Sequence, residues 1–255
     1  AGKGRMEEPA RIETAVKALL LANRPDGELP LKGLAVLVTA GPTQEPLDPV
    51  RFLTNHSTGK MGYALAEQAR DLGAQVTLVS GPVALDAPYG VDVVDVTTAR
   101  DMFDVVMSRF SDTDITVMAA AVGDFRPVEQ ARDKIKKNGR SSIELELTSN
   151  PDILAWAGEH KRSDQTLCGF AMETRDLEAN AAKKLNGKHC DMLVANNLRT
   201  HGAGFAADTN VVTVLTPGET ADRPSIERWS KMGKDALAKR ILVKLAAMRA
   251  DGERR

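Results

Sequence analysis

The sequence predicts an α/β protein whose mostly parallel sheet carries helices on both faces. Short apolar runs alternate with stretches of helical periodicity from residue 34 onward. The first run, Leu34–Thr39, is apolar almost throughout, which is typical of a strand buried on both faces. A chain of 255 residues is also long enough to bury a sizeable core.

Five strands and five helices account for most of this alternation. The predicted strands are Leu34–Thr39, Gln75–Ser80, Ile115–Ala121, Gln165–Ala171 and Met192–Ala195. The predicted helices are Met61–Leu72, Arg100–Phe110, Ile153–Glu159, Asp176–Leu185 and Met232–Met248. Successive β-α-β units of this kind build a doubly wound, Rossmann-like sheet, which is the predicted fold class.

Two stretches interrupt the alternation and predict a small antiparallel addition. Ser142–Leu147 alternates polar and apolar residues, and Asn210–Leu215 is rich in β-branched residues with turn signals around it. We expect these stretches to form either a sheet edge or a small subdomain.

The two ends of the chain are predicted to lie outside the folded domain. Segment 1–33 is expected to be a tail or linker, in which Pro9–Asn23 has helical periodicity and a turn-rich sequence follows. The folded domain is expected to span 34–250, with 251–255 as a C-terminal tail.

The composition argues against several classes of function. The formal net charge is -1, whereas a general nucleic-acid binder carries a basic excess. No apolar run is long enough to span a membrane and no signal-like segment opens the chain, so we expect a cytoplasmic protein. Cys168 and Cys190 lack metal-ligand spacing, so no protein-held metal site is expected.

The loop after the first strand is a candidate anion site, because open α/β sheets bind ligands at the carboxyl ends of their strands. It contains neither GxGxxG nor a complete Walker A motif. It is stiffened by prolines, carries Arg51 and Asn55, and ends in Ser57–Lys60 at a predicted helix start. Hydroxyls, a lysine and helix N–H groups suit a phosphate, although an ordinary capped helix would use the same residues.

The segment after the third strand is a second candidate. The small residues Ala119–Ala121 would let a base or ribose approach closely, and Asp124 could accept hydrogen bonds from it. The lysine-rich run Lys134–Lys137 would suit a triphosphate, because lysine supplies mobile point charges. The alternative is a solvated basic turn, where most lysine runs are found.

Three further features have simpler structural explanations. Ser149 or Asn150 could cap the helix that follows, with Pro151 at its first position. Phe170 could stack on a base or belong to the core. The pair Lys184 and Lys188, four residues apart, could face an anion or solvent.

These segments form a series of short motifs along the chain. The motifs are Gly41–Thr43, Asp48–Arg51, Asn55–Gly62, Ala120–Val122 with Asp124, Lys134–Lys137, Asn150–Ile153, Gly169–Ala171 with Glu173 and Thr174, and Ala195-Asn196. From Leu34 to about Met248, they resemble the phosphopantothenoylcysteine synthetases in their bacterial, CTP-using form. The departures are small: Thr58 stands where the family often has Ser, and Gly123 where Ala is common.

The resemblance implies a ligase of coenzyme A biosynthesis with two half-reactions. The carboxylate of 4'-phosphopantothenate attacks the α-phosphate of CTP, giving an acyl-cytidylate and pyrophosphate. The amine of L-cysteine then displaces CMP. Mg²⁺ is expected to be carried mainly by the triphosphate.

The resemblance also assigns roles to residues. Lys134 is expected to serve nucleotidyl transfer, and Asn55 to hold the acyl-cytidylate and polarise its carbonyl. Candidates for the phosphate of phosphopantothenate are Arg51, Ser57 and Gly59. The nucleotide contacts are expected from Met118, Ala119, Ala120, Asp124, Lys134, Thr148, Ser149, Asn150, Pro151, Phe170, Lys184 and Lys188.

The family is dimeric, so the resemblance implies a homodimer, with 142–147 and 210–215 as expected interface segments. The opening Gly2–Pro9 resembles the end of a flavin-dependent decarboxylase domain. That similarity implies a bifunctional full-length protein and a larger oligomer containing both domains.

Two rival functions remain at this point. A nucleotide-sugar or NAD(P)-dependent reductase on the same fold would need GxGxxG and an acidic residue after the second strand, where Ser80-Gly81-Pro82 stands. A non-catalytic nucleotide-binding subunit would not need Asn55 or Lys134. Release of pyrophosphate separates the ligase from this second rival.

Overall fold

The computed structural model describes residues 6–9, 12–13, 16, 19–20, 29–139, 141–173, 176–197, 207–220 and 223–252. The described strands are β1 (Ala35–Ala40), β2 (Gln44–Pro46), β3 (Phe52–Thr54), β4 (Gln75–Ser80), β5 (Asp92–Asp95), β6 (Ile115–Met118), β7 (Phe125–Pro127), β8 (Leu147–Ser149), β9 (Thr166–Glu173), β10 (Met192–Asn197), β11 (Thr209–Thr220) and β12 (Arg223–Gly233). The described helices that connect them are α1 (Lys60–Asp71), α2 (Ala99–Phe110), α3 (Ile153–His160), α4 (Leu177–Gly187) and α5 (Lys234–Gly252).

Eight of these strands form one sheet in the order β12-β11-β10-β9-β6-β1-β4-β5. The strands from β10 to β5 are parallel, and β11 and β12 add an antiparallel hairpin at one edge. The predicted α/β doubly wound class with a small antiparallel addition is therefore confirmed. The chain runs from β1 to β4 on one side and later to β6 on the other, so the strand order reverses between β1 and β6.

Helices cover both faces of this sheet, and successive residues of β1 show the division. Val36 and Val38 join an apolar cluster that contains helix residues from α1 and α5. Leu37 points to the opposite face and joins a cluster with residues of α2, α3 and α4. Alternate residues of a strand face opposite sides of the sheet. Because helices cover both sides here, nearly every residue of β1 is buried and the strand is apolar almost throughout.

The prediction of a strand over Ser142–Leu147 is wrong. In this segment only Leu147 belongs to a strand, β8, which pairs with β7 in a separate two-stranded sheet. Ile143 and Leu145 are 46% and 41% exposed. The apolar residues of this alternating segment therefore do not face the core of the described structure.

Two element boundaries differ from the predictions, and one open alternative is decided. The strand predicted over Ile115–Ala121 ends at Met118, and the small residues beyond it lie in an irregular segment. The last helix begins at Lys234, because Met232 belongs to β12. Asn210–Leu215 lies within β11, so the sheet-edge alternative is the correct one. The sequence did not predict β2, β3, β5, β7 or β12, most of which are short or mainly polar.

At the start of the chain, the described residues of the Pro9–Asn23 segment are helical and the others lie outside the described residues. Leu31 is fully buried in the cluster beneath α1, and its N–H donates to Leu72 O at 3.1 Å. The packed part of the chain therefore begins a few residues before β1.

Candidate active site

A cavity of about 450 Å³ opens at the carboxyl ends of the parallel strands, beside the point where the strand order reverses. Open α/β sheets bind ligands at this position. The cavity brings together residues from the segments that follow β1 and β6, from the end of β9 and from α4. The sequence-predicted residues that line it are Asn55, Ser57, Gly59, Ala119, Ala120, Asp124, Phe170 and Lys184.

Asn55 is held in place by the segment that follows β6. Its Nδ2 donates to the carbonyl oxygens of Ala121 and Val122, at 2.9 and 3.3 Å. Thr43 reinforces the same junction, because its buried hydroxyl accepts a hydrogen bond of 2.9 Å from Gly123 N. The loops after β1 and β6 are thus joined, and the Asn55 amide lies at their junction.

Two glycines bring the N-terminus of α1 to the cavity. Gly59 is the N-cap residue and has φ 77°, a left-handed conformation that favours glycine. A Cβ on Gly62 would lie 2.4 Å from the Ala40 Cβ, so only glycine allows α1 to cross the end of β1 this closely. Gly59 and the first residues of α1 line the cavity, so the positive end of the α1 dipole is directed at it.

The turn that carries Asp124 is braced by Asn150. The Asn150 Nδ2 donates to Gly123 O, and its backbone N–H donates to Asp124 O, both at 2.8 Å. Arg126 in turn donates to Asn150 Oδ1 at 3.1 Å. The predicted nucleotide-binding segment Thr148–Pro151 therefore lies beside the cavity and supports Asp124, but it does not line the cavity.

The prediction that Ser149 or Asn150 caps α3 is wrong. The N-cap is Asp152, whose Oδ1 accepts a hydrogen bond of 2.9 Å from Ala155 N. Asn150 is engaged with the turn at Asp124 instead. Asp152 serves equally well as a cap, so propensity alone could not separate these neighbours.

Lys184 and Lys188 occupy different environments although both project from the end of α4. The Lys184 Nζ lines the cavity and donates to Phe170 O at 3.2 Å. The Lys188 Nζ forms an ion pair with Asp152 outside the cavity lining. Burial acts to raise the pKa of Asp152, but the hydrogen bonds from Lys188 and Ala155 N, with the lysine charges, hold it below its ordinary value.

Arg51 and Lys134 are not brought into the cavity. The Arg51 guanidinium binds the buried Asp48 carboxylate, with Nε at 3.0 Å from Oδ2, and donates to Ile135 O at 2.8 Å. Its hydrogen bond is the main reason that the pKa of Asp48 lies well below its usual range, and N–H groups including that of Ile135 lower it further. Lys134 is exposed at the side of this clamp.

Met118 also lies outside the cavity lining. It is 8% exposed at the end of β6, where its Sδ accepts a weak hydrogen bond of 3.8 Å from the Thr39 hydroxyl. Of the predicted nucleotide segment, Ala119 and Ala120 reach the cavity. The further motif residue Thr174 lies outside the described residues.

Lys60, which belongs to the predicted phosphate pocket, also lines this cavity. Three polar residues that sequence reasoning gave no role line it as well: Asn196, Asn210 and Lys234. Asn196 falls within one of the family motifs, which was the available signal. Asn210 and Lys234 carry no local signal, since only the antiparallel hairpin of β11 and β12 brings them to the carboxyl ends of the parallel strands.

Within the described ranges, no three His, Cys, Asp or Glu side chains are grouped so that they could hold a metal ion. No helix in the described part of the chain combines the length and apolar character that a membrane crossing requires.

Comparisons with known proteins place this architecture in a family. Residues 31–248 match the model of the DNA/pantothenate metabolism flavoprotein C-terminal domain. The coenzyme A biosynthesis bifunctional protein CoaBC of Bacillus subtilis (strain 168) is 49% identical over 215 residues, which cover 84% of this chain and 52% of that protein. A protein of the same name from Vibrio vulnificus (strain YJ016) is 43% identical over 222 residues, covering 86% of this chain and 54% of the relative.

A solved structure agrees with these sequence matches. The crystal structure of the C-terminal domain of a coenzyme A biosynthesis bifunctional protein CoaBC has a TM-score of 0.73 and 39% identity, covering 88% of this chain and 99% of that domain. The chain spans about half the length of the two full-length relatives. It belongs to the family of DNA/pantothenate metabolism flavoprotein C-terminal domains.

Proposed function

We propose that this chain joins 4'-phosphopantothenate to L-cysteine, using CTP and passing through an acyl-cytidylate. The observation that carries the proposal is the position of Asn55, fixed at the junction of two loops in a cavity that is also lined by the N-terminal residues of α1. Membership of the family and the identity with CoaBC proteins support a role in coenzyme A biosynthesis, and the resemblance to phosphopantothenoylcysteine synthetases implies the named substrates. A cavity of about 450 Å³ is large enough for small-molecule ligands.

In the first half-reaction, a carboxylate oxygen of phosphopantothenate attacks the α-phosphorus of CTP. A bond forms between that oxygen and phosphorus, and the bond to the β-phosphate oxygen breaks, so that pyrophosphate leaves. Mg²⁺ arrives with the triphosphate and offsets its charge. Lys134 is assigned to the phosphates in this step, and its neighbour Ile135 is held by the Asp48 carboxylate.

In the second half-reaction, the cysteine ammonium group first loses a proton to water, and the neutral amine then attacks the acyl carbonyl carbon. The bond between that carbon and the phosphate oxygen breaks, CMP leaves with the bonding electrons, and the nitrogen releases a second proton to water. Asn55 orients that carbonyl. Both of its Nδ2 hydrogen bonds are to backbone oxygens, and the one to Val122 O is the longer, at 3.3 Å. We propose that the N–H group that makes this longer contact donates its hydrogen bond to the acyl carbonyl instead when the acyl-cytidylate is bound.

The nucleotide is assigned to the side of the cavity formed by the segment after β6, the end of β9 and α4. Ala119 and Ala120 are small enough to let a ribose or base approach the end of β6, and Asp124 offers an acceptor. Phe170 presents a ring, and Lys184, bound to the Phe170 carbonyl, presents an ammonium group for phosphate oxygens. Asn150 and its neighbours hold the Asp124 turn in place for this contact.

The chain is further proposed to act as a homodimer. Phe52, Phe125 and Val128 are 46%, 53% and 49% exposed, and Ile143 and Leu145 are exposed on the segment joined to Val128 through Glu146 O. Large apolar side chains clustered in this way on a surface mark interaction sites. The occupant proposed for this surface is a second copy of the chain.

The direct test is an assay of pyrophosphate release with 4'-phosphopantothenate, L-cysteine, Mg²⁺ and each nucleoside triphosphate in turn. The proposal expects release with CTP and coupled formation of CMP and of an amide product detected by mass spectrometry. Release with ATP and not CTP would overturn the nucleotide assignment. Nucleotide binding with no pyrophosphate release from any mixture would favour the non-catalytic binding subunit.

A further inference from the structure

Glu45 is a buried residue that has no part in the two half-reactions described above. It is the middle residue of β2, is 2% exposed and lies opposite Leu53 of β3. A carboxyl side chain is almost never this deeply buried unless it is paired or hydrogen-bonded, because burying an ionised group is otherwise costly. The contacts of Glu45 therefore indicate what the side chain does.

The Glu45 side chain reaches the first turn of α2. Its Oε1 accepts a hydrogen bond of 3.0 Å from the N–H of Ala99, the first residue of that helix. The N–H of the preceding residue, Gln44, donates to Thr97 O at 2.8 Å. The positive end of the helix dipole favours a carboxylate at this place. Two hydrogen bonds thus attach β2 to the start of α2.

The helix α2 also has a cap of its own. Thr98 Oγ1 accepts from Asp101 N at 3.1 Å, and Asp101 Oδ2 accepts from Thr98 N at 2.8 Å, which together form a capping box. The hydrogen bond to Glu45 comes from a distant part of the sequence and is additional to this local cap. Its effect is to join the hairpin of β2 and β3 to α2.

This hairpin holds both residues that are assigned to the half-reactions. Asn55 follows β3 directly. Asp48, in the turn between the two strands, accepts a hydrogen bond of 3.0 Å from the N–H of Ile135, the residue after Lys134. A displacement of the hairpin would therefore move Asn55 and the segment that contains Lys134 together.

Glu45 also lies beside the turn that carries Asp124. A Cβ added to Gly123 would be 3.5 Å from Glu45 Cγ and 3.7 Å from Glu45 Oε1, which is ordinary van der Waals contact. Thr43, two residues before Glu45, accepts a hydrogen bond of 2.9 Å from Gly123 N. The Glu45 side chain is thus placed between the start of α2 and the segment after β6, to which the Asn55 amide is bound.

We propose that Glu45 is a positioning residue for both half-reactions, because it fixes the hairpin, and with it Asn55 and the Lys134 segment, against α2. The proposal rests on the proposed function, in which those two residues act on the acyl carbonyl and on the phosphates. Glu45 itself does not line the cavity. A displacement of about 1 Å in a group that orients a substrate can cost about a hundredfold in rate, so an anchor outside the cavity can control catalysis.

The first experiment compares two substitutions of Glu45 in steady-state kinetics. Glu45→Leu removes the acceptor for Ala99 N and should lower kcat for amide formation about tenfold or more. The KM for CTP should stay within about twofold, because the Asp124 turn keeps its hydrogen bonds to Asn150. Glu45→Gln keeps an oxygen acceptor and should restore most of the rate. An unchanged kcat in Glu45→Leu, or no rescue by Glu45→Gln, would overturn the proposal.

The matched control is Asp101→Ala, which removes the capping box from the same end of α2 and leaves the contacts of Glu45 in place. It should lower the melting temperature and keep kcat within about twofold of wild type. If Asp101→Ala and Glu45→Leu lose the same amount of kcat for the same loss of melting temperature, Glu45 acts only through the stability of α2 and the positioning role is refuted.

Amide hydrogen exchange, followed by mass spectrometry, measures the anchor without turnover. In Glu45→Leu the peptide that spans 44–55 should exchange faster than in wild type, whereas in Asp101→Ala the faster exchange should be confined to the first turn of α2. If wild type releases no pyrophosphate from any mixture, the proposed function fails, although faster exchange in Glu45→Leu would still establish the anchor. If wild type is active and Glu45→Leu exchanges faster without losing rate, the positioning role fails alone.

Discussion

The backbone N–H of Ile135 donates a hydrogen bond of 3.0 Å to the Asp48 carboxylate, and Arg51 donates one of 2.8 Å to the Ile135 carbonyl. Asp48 also accepts from the N–H groups of Val50 and Arg51, both at 2.9 Å. One buried carboxylate thus organises the loop after β1 and attaches the lysine-rich segment to it. The position of Lys134 therefore depends on Asp48, although these two residues are far apart in the sequence.

The first prediction follows from this clamp. Asp48→Asn removes the charge that binds Arg51 and Ile135 N, so Lys134 should lose its position and kcat for pyrophosphate release should fall about tenfold. The matched control is Asp133→Asn, which removes an exposed carboxylate beside Lys134. Equal effects of the two substitutions would mean that the clamp has no part in placing the lysine.

The second prediction concerns stability against pH. The Asp48 pKa is held well below the ordinary value of 3.8, chiefly by the hydrogen bond from Arg51. A carboxyl group with a lowered pKa stabilises the fold fully above its unfolded pKa, and this stabilisation is lost as the pH falls towards the folded value. Wild type should therefore melt at a higher temperature than Asp48→Asn at pH 7, and the difference should shrink below about pH 4. A difference independent of pH would show that the carboxylate charge is not the cause.

The third prediction tests the nucleotidyl-transfer lysine. Lys134→Gln should abolish pyrophosphate release while leaving the melting temperature unchanged, because the side chain is exposed and supports no core contact. Lys136→Gln, in the same exposed run, should retain most of the activity. Measuring the rate of pyrophosphate release distinguishes the two variants. Similar losses in both would indicate that the run acts only as a diffuse positive charge.

The fourth prediction separates the half-reactions at Asn55. In Asn55→Asp a carboxylate would face the carbonyl oxygens of Ala121 and Val122, which now accept hydrogen bonds from Nδ2. It could not donate to the acyl carbonyl, so an acyl-cytidylate should form, release about one equivalent of pyrophosphate per site and fail to react with cysteine. Burst measurements with and without cysteine test this.

A matched control for Asn55→Asp is Asn138→Asp, at an exposed turn with φ 43°, a conformation that Asp tolerates. This control should turn over like wild type. If Asn55→Asp loses pyrophosphate release and amide formation to the same extent, Asn55 acts in both half-reactions.

The sequence was sufficient to predict the parallel part of the fold, because strands such as β1 and β4 must be apolar to be buried on both faces. It was insufficient for β12, which is mainly polar and exists through pairing with β11 over a long hairpin. Pairing between distant or solvent-facing strands leaves little local pattern in the sequence.

The same distinction applies to the cavity. Ser57 and Gly59 could be predicted because a helix N-terminus after a strand has a recognisable local sequence. Lys234 could not, since β11 and β12 must first fold back along β10 to bring it to the same edge. The different environments of Lys184 and Lys188 could not be predicted either. They depend on Asp152, the N-cap residue of α3, which forms an ion pair with Lys188.

The last prediction concerns the exposed apolar surface around β7 and β8. Ile143→Asp places a charge among side chains such as Phe125 and Leu145, which are 53% and 41% exposed. Burying an unpaired charge in an interface is costly, so a dimer held by this surface should dissociate, and light scattering after gel filtration should report a mass near the 27.4 kDa of one chain. Val243→Asp, at a residue that is 43% exposed on α5, should leave the dimer intact. A dimer that survives Ile143→Asp but is lost in Val243→Asp would place the interface on α5 and overturn the assignment made above.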